Sequence, residues 1–277
     1  MEIDLLTYRE TLMGFAFYGT IGAVALWETV AEFRSPQRSP LVRWSNNIAL
    51  GILGFVLERW LLLATGLSAA MYARHEGWGL LNNVALPEPV LIVMSVLFLD
   101  MLFYGIHRIW HMIPLLWRFH CVHHSDTEFD FSVGFRRHPV ELLVNAMLVV
   151  PLIIVLGIPV VAIVLFQMLR AATLLYEHAN VRLPDRLDRF LRYFIVTPNM
   201  HRIHHSSIQA ETDSNYSDLF PVWDRLFGSY RALSEVPQET MQFGLDYFRE
   251  PEEMKIHRLL LQPVRYDPRG WVSSESH

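Results

Sequence analysis

Long apolar runs, each of helix-spanning length and none alternating like a strand, organise the first two thirds of this chain. Residues 11–30 form the first, with Glu28 near its end. Arg34, Arg38 and Arg43 follow, and Pro36 and Pro40 stop the helix. Residues 47–71 form the second, interrupted by Glu58 and Arg59. Charges at membrane depth must face protein or water, so two shorter interfacial helices are the alternative there. A loop over 72–89 leads to a third span at 90–106. Residues 142–169 carry no charge and hold Pro151, Gly157 and Pro159, which fits one kinked span or a hairpin of two short helices. Beyond His178 the chain reads as a helical cap. Residues 183–196 alternate arginine with apolar side chains at helical spacing, suited to the membrane surface or to packing within the cap.

Against this background the polar positions carry the information. Asp100, Tyr104, His107 and His111 fall at i, i+4, i+7 and i+11, one stripe along an apolar helix. A polar seam against a neighbouring helix would explain the stripe, but an ionisable group inside a membrane helix is a functional candidate by default. The stripe runs into HRIWHMIPLLWRFHCVHH, which adds His120, His123 and His124, and HRIHH repeats the pattern at His201, His204 and His205. Thr197 and Pro198 launch this last box as N-cap and first helical residue. Eight of the 13 histidines thus sit in three boxes. Histidines four apart on a helix share a face, and eight neutral imidazoles suit two metal ions better than one. Chance clustering on a surface would account for one box, hardly for three. Asp100 and Tyr104 stand where they could orient the rings.

The boxes also settle the topology. A single crossing over 142–169 would put the second and third boxes on opposite sides of the membrane, whereas a hairpin turning near Gly157, Ile158 and Pro159 returns the chain to the same side. The expected architecture is therefore all-α, an integral membrane bundle of three spans plus a hairpin, with a cap holding a dimetal site. Arginines are denser at 32–45 and 107–140 than at 1–10 and 72–89, which places the boxes on the cytoplasmic face. His75 then lies in the outer loop, away from the site.

Composition sharpens the class. Hydrophobic residues make up 52%, charged residues 18%, and mean hydropathy is +0.24, too apolar for an ordinary soluble domain. A net charge of -5 without a basic, aromatic-laced patch excludes nucleic acid as a partner. Cys121, the single cysteine, permits no internal disulfide and is either a ligand or a small buried filler. Residues 1–10 lack the basic start of a secretory signal. The last 38 residues read as amphipathic helix and tail, with His257 and His277 solvated. Imidazole suits iron, zinc, copper and nickel alike. A two-zinc hydrolase usually brings bridging carboxylates, which the boxes lack. A metal carrier or sensor needs weaker coordination than eight rings provide. No GxSxG elbow or glycine-rich phosphate loop is present.

HRIWH, HCVHH and HRIHH resemble the HxxxH, HxxHH and HxxHH boxes of the fatty acid hydroxylase superfamily, which includes sterol desaturases and alkylglycerol monooxygenases. LDMLFYGIHRIWH, HHSDTEFDFSVGFRRHPVE, YEHANVRLP, TPNMHRIHHS, TDSNYSDLFPVWDRLFGSY and LLLQPVR extend the likeness to bacterial members over residues 95–265. On this resemblance residues 1–94 are N-terminal membrane helices, 95–265 the hydroxylase-like domain and 266–277 a tail. It implies two iron ions, with zinc possible in purified protein, and dioxygen as co-substrate. It also implies a sterol, fatty acyl or ether lipid substrate that is hydroxylated or desaturated. The eight box histidines become metal ligands, His178 in YEHAN the ninth and His138 in HPVE the tenth. Asp100, Tyr104, Glu141, Asn180, Asn199 and Asn215 become the residues that support them. Electrons must come from outside, from a ferredoxin or a cytochrome b5-like protein with its reductase. The implied location is a bacterial inner membrane.

Overall fold

The computed structural model of the chain describes residues 2–37, 39–62 and 65–266. Arg38 and the tail from 267, with His277, lie outside the described residues. Among those described every regular element is helical, and two isolated bridges, Glu32 with Val181 and Ser206 with Phe243, are the only β pairing.

Helix α1 (Glu2–Val30) takes in the first apolar run, and α2 (Pro40–Leu62) and α3 (Gly66–His75) divide the second. Pro40 opens α2, since a first-turn proline has no hydrogen bond to lose. α4 (Glu88–Met112) is longer than the sequence pattern suggests. It continues past residue 106 through the first histidine box, and α5 (Pro114–His124) restarts after a break at Ile113 to carry the second. The uncharged run is a hairpin of α6 (Pro139–Leu156) and α7 (Val160–Glu177). Gly157 makes the turn with φ 67°, a left-handed conformation that costs glycine little, and Ile158 N–H closes the turn on Ile153 O at 3.1 Å. A side chain on Gly79 would strike the Gly157 backbone at 2.2 Å, so the segment after α3 seals this tip.

Among the described residues four segments are long and apolar enough to cross a membrane: Pro40–His75, Glu88–Met112, Pro139–Leu156 and Val160–Glu177. α1, expected as a span, is not one of them; it packs along α7 through Phe17, Ile21 and Val24. The main core lies between α3, α4, α6 and α7, around Leu99, Trp110, Ile153, Ile163 and Phe166. Beyond it, at the end of the hairpin opposite Gly157, come α8 (Asp185–Leu191), α9 (Pro198–His204), α10 (Gln209–Thr212), α11 (Val222–Leu226) and α12 (Ile256–Arg265). The fully buried Arg136 ties this end together: it donates to Val122 O at 2.7 Å, Asn47 Oδ1 at 3.0 Å and Ser125 Oγ at 2.7 Å.

Candidate metal centre

Four helices bring the histidines to one place. The end of α4 presents His107 and His111, α5 presents His120, His123 and His124, and the residue just after α7 is His178. α9 presents His201 and His204, with His205 as its C-cap; Thr197 caps its start by accepting from Met200 N–H at 3.3 Å, with Pro198 next, as the sequence predicts. Two groups result. His107, His111, His120, His124 and His204 have ligand nitrogens all within 4.8 Å of one another, and so do those of His123, His178, His201 and His205. His124 and His205, stacked at 4.5 Å, join the groups.

The hydrogen bonds fix which ring nitrogens are free. His107 and His204 donate Nδ1–H to the carbonyls of Tyr216 and Ser214, both at 2.7 Å, and His178 donates to Leu174 O at 2.7 Å. A carbonyl only accepts, so in all three rings the proton sits on Nδ1 and Nε2 offers a lone pair. These lone pairs face other nitrogens. His204 Nε2 is 3.2 Å from His107 Nε2, and His178 Nε2 is 3.1, 3.2 and 3.3 Å from Nε2 of His201, His205 and His123. His107 and His204 face each other with lone pairs, which repel unless a cation lies between them, and the single lone pair of His178 can accept a proton from only one of its three neighbours. Two nitrogens bound to one ion at ~2.1 Å and at right-angled to tetrahedral spacing stand ~3.0–3.4 Å apart, which is the observed separation. In addition, Nε2 of His111, His120 and His124 is buried without a hydrogen-bond partner, a cost that a metal removes.

Burial favours the ligating, neutral form of the rings on α9 and of His123, His124 and His178. It holds His123, His124, His201, His204 and His205 well below the ordinary imidazole value, with neighbouring histidines adding to the effect. It pushes His178 down to about 3 against the bond to Leu174. Carboxylates supply the compensating charge. Glu141 Oε2 lies 3.1 Å from His120 Nδ1, close but off the hydrogen-bond direction, and Asp213 Oδ1 lies 3.3 Å from His111 Nδ1. Asp218 Oδ1 is 3.8 Å from His107 Nδ1. Burial raises Asp218, but the guanidiniums of Arg170 and Arg137 outweigh it and hold the carboxyl at about 2. The residues present therefore fit a pair of imidazole-bound transition-metal ions.

The profile of the family described as fatty acid hydroxylase matches residues 92–229, which contain every histidine of both groups. The chain belongs to the fatty acid hydroxylase superfamily. Human alkylglycerol monooxygenase is 26% identical over 65% of this chain and 39% of its own length. Ornithine lipid hydroxylase OlsE of Rhizobium tropici is 30% identical over 52% of this chain and 43% of its own. The rice very-long-chain aldehyde decarbonylase GL1-1 is 29% identical over 57% and 26%. The match thus spans less than half the length of each relative. No solved structure matches the chain.

Within this superfamily domain, nine of the ten expected ligands are brought together, and His138 is not. Its ring caps α6 instead, with Nδ1 accepting Val140 N–H at 3.2 Å and Pro139 as the first helical residue. Glu141 reaches a histidine directly. Asp100 and Tyr104 act one step further out, on the 213–230 segment that supplies Tyr216 O and Asp218. Asp100 Oδ2 accepts Phe220 N–H at 3.1 Å and Trp223 Nε1–H at 2.7 Å, and Tyr104 Oη pairs with Ser229 Oγ at 2.8 Å. Asn215, at φ 52°, donates to Arg231 O at 3.0 Å and so braces the same segment. Asn180 binds the backbone of Arg34, and Asn199 accepts from Arg202 at 3.4 Å; neither touches a histidine. Cys121 is a buried filler whose thiol donates to Arg118 O at 3.1 Å, and His75 is exposed beside Glu76. Sequence reasoning missed Asp218. Arg170, a charged residue of largely apolar α7 that pairs with it at 2.8 Å, was the available signal.

Proposed function

We propose that this protein is a membrane-bound non-haem di-iron oxygenase that hydroxylates or desaturates a lipid, using dioxygen and two electrons. The two groups of converging imidazoles carry this reading, above all the facing lone pairs of His107 and His204 at 3.2 Å and the unpartnered Nε2 atoms of His111, His120 and His124. His107, His111, His120, His124 and His204 would hold one ion, and His123, His178, His201 and His205 the other. Iron held there supplies the activation of dioxygen needed to attack an unactivated C–H bond.

The chain's own contribution is to orient the lipid and exclude water. A cavity of about 300 Å³ opens between α2, α4, α6 and α7, walled by Leu99, Val149, Ile153 and Phe166. Arg137, Arg170 and Asn145 line both this cavity and a narrow cleft that reaches His107. An acyl or alkyl chain in the apolar part would bring a carbon near its polar end toward the metals, with the cleft too tight for bulk water. The boxes would face the cytoplasm at the inner membrane of a bacterium, where a ferredoxin or a cytochrome b5-like protein with its reductase donates electrons. Residues 95–265 would form this working domain behind the membrane helices of 1–94.

The test is product analysis. Iron-loaded protein in lipid nanodiscs, given a reductant and 18O2, is expected to produce a lipid 16 mass units heavier plus the isotope increment, or one with an added double bond. Dioxygen-independent turnover, or cleavage of an ester bond, would overturn the oxygenase reading.

A further inference from the structure

We infer that Glu177 supplies an anionic oxygen donor to the metal ion held by His123, His178, His201 and His205. The proposal rests on the two-ion reading of the site and adds a carboxylate to a ligand set otherwise made of imidazole.

Glu177 is the last residue of α7 and is fully buried. Neither of its carboxylate oxygens has a hydrogen-bond partner. An ionised carboxylate in that state lacks compensation for its lost hydration, and a neutral carboxyl would still need an acceptor for its proton. The backbone does not serve it, and His178 Nδ1–H, 3.6 Å from Oε1, is already given to Leu174 O. Nearby guanidiniums are engaged as well, Arg137 with Glu141 at 3.1 Å and Arg170 with Asp218 at 2.8 Å. What Glu177 does face is the ring cluster. Its Oε1 lies 3.9 Å from His201 Nε2, one of the four nitrogens that converge on the second position. This separation exceeds the 3.1–3.3 Å between the ring nitrogens, so ligation by Glu177 requires its side chain to rotate toward the metal position when an ion binds.

The count of donors points the same way. One position has five imidazoles and the other four, so a carboxylate at the second equalises them and introduces a hard, charged ligand at one ion only. The two positions would then differ in charge, with the ion beside Glu177 the more firmly neutralised. Sequence position is consistent with this role, since Glu177 is anchored by the same helical turn that orients His178.

The experiment uses full-length wild type, Glu177→Gln and Glu177→Asp in mild detergent, loaded with ferrous iron or zinc without oxygen and titrated with chelator. Wild type should hold two ions. Glu177→Gln, matched in shape but uncharged, should release one of them at a 10–100-fold lower chelator concentration, while Glu177→Asp should fall between. Unchanged metal content and chelator profile in Glu177→Gln would overturn the proposal. Infrared difference spectra of wild type provide a readout free of folding effects. Metal loading should shift a carboxylate stretch, and loading without such a shift would overturn the proposal too. A wild-type protein that binds no metal would overturn the two-ion reading itself, whereas two ions with an indifferent Glu177→Gln leaves that reading standing.

Discussion

Around the five-ring group three rings hydrogen-bond to oxygen, at Tyr216 O, Ser214 O and Asp213, and Glu141 approaches a fourth at 3.1 Å, while Nδ1 of His124 has no partner. Around the four-ring group, His178 has such a partner, but the buried Nδ1 atoms of His123 and His201 have none. Packing takes over there. Phe129 stacks on His178 at 5.8 Å and meets the edge of His205 at 5.3 Å, backed by Phe243. Both positions have aromatic neighbours, Trp117 and Tyr216 at the first and Phe129 at the second, but the first adds more hydrogen bonds, from the 213–216 segment, than the second, where His178 alone has one. Hydrogen bonds fix a tautomer as well as an orientation; packing fixes orientation alone. The five-ring position should therefore be poised for metal before any arrives, and the four-ring position should depend more on the ion and on Glu177.

This contrast can be broken at several points. The largest effect belongs to ligand removal. His178→Ala and His201→Ala should each leave about one ion per chain and reduce lipid oxidation more than ~100-fold, beyond the range for residues around a ligand. Elemental analysis and product yield check this, and full retention of two ions in both variants would dissolve the four-ring position. Next comes Glu141→Gln, which leaves His120 without its anionic neighbour. It should weaken metal binding 10–100-fold at the five-ring position only, seen as one early and one unchanged step in a chelator titration. The smallest effect is expected at His138→Ala. Loss of a helix cap costs ~1 kcal/mol, so thermal stability should drop slightly while both ions stay bound. Loss of an ion there would restore His138 as a ligand.

Much of this was readable from residue order because helical spacing does the work over short distances. His107 and His111, or His201 and His205, are four apart and must share a face on any helix. The hairpin was legible from an uncharged run interrupted by Gly157 and Pro159, and its turn falls where those residues are. Contacts between distant segments were not legible. Glu177 lies outside the boxes and becomes relevant only because α7 ends beside α9, and Asp218 because the loop after α10 folds back on α4. His138 runs the other way: likeness to a motif drew it into the ligand set, whereas its ring caps α6 outside both groups, as suits a histidine followed by proline at a helix start. Asp100 and Tyr104 stand out by their stripe, but the residues they hold are Phe220, Trp223 and Ser229, far along the chain, and not the rings.

The account stands most directly on how many ions one chain holds. Protein purified in mild detergent, reconstituted with ferrous iron and freed of loosely bound metal should contain about two irons per chain by elemental analysis, in keeping with two groups of converging imidazoles. Two zincs in protein as first purified would be compatible if iron replaces them on reconstitution. A chain that takes up neither metal in stoichiometric amount would contradict the account, because nine clustered rings, with the lone pairs of His107 and His204 3.2 Å apart, would then face one another with no cation among them.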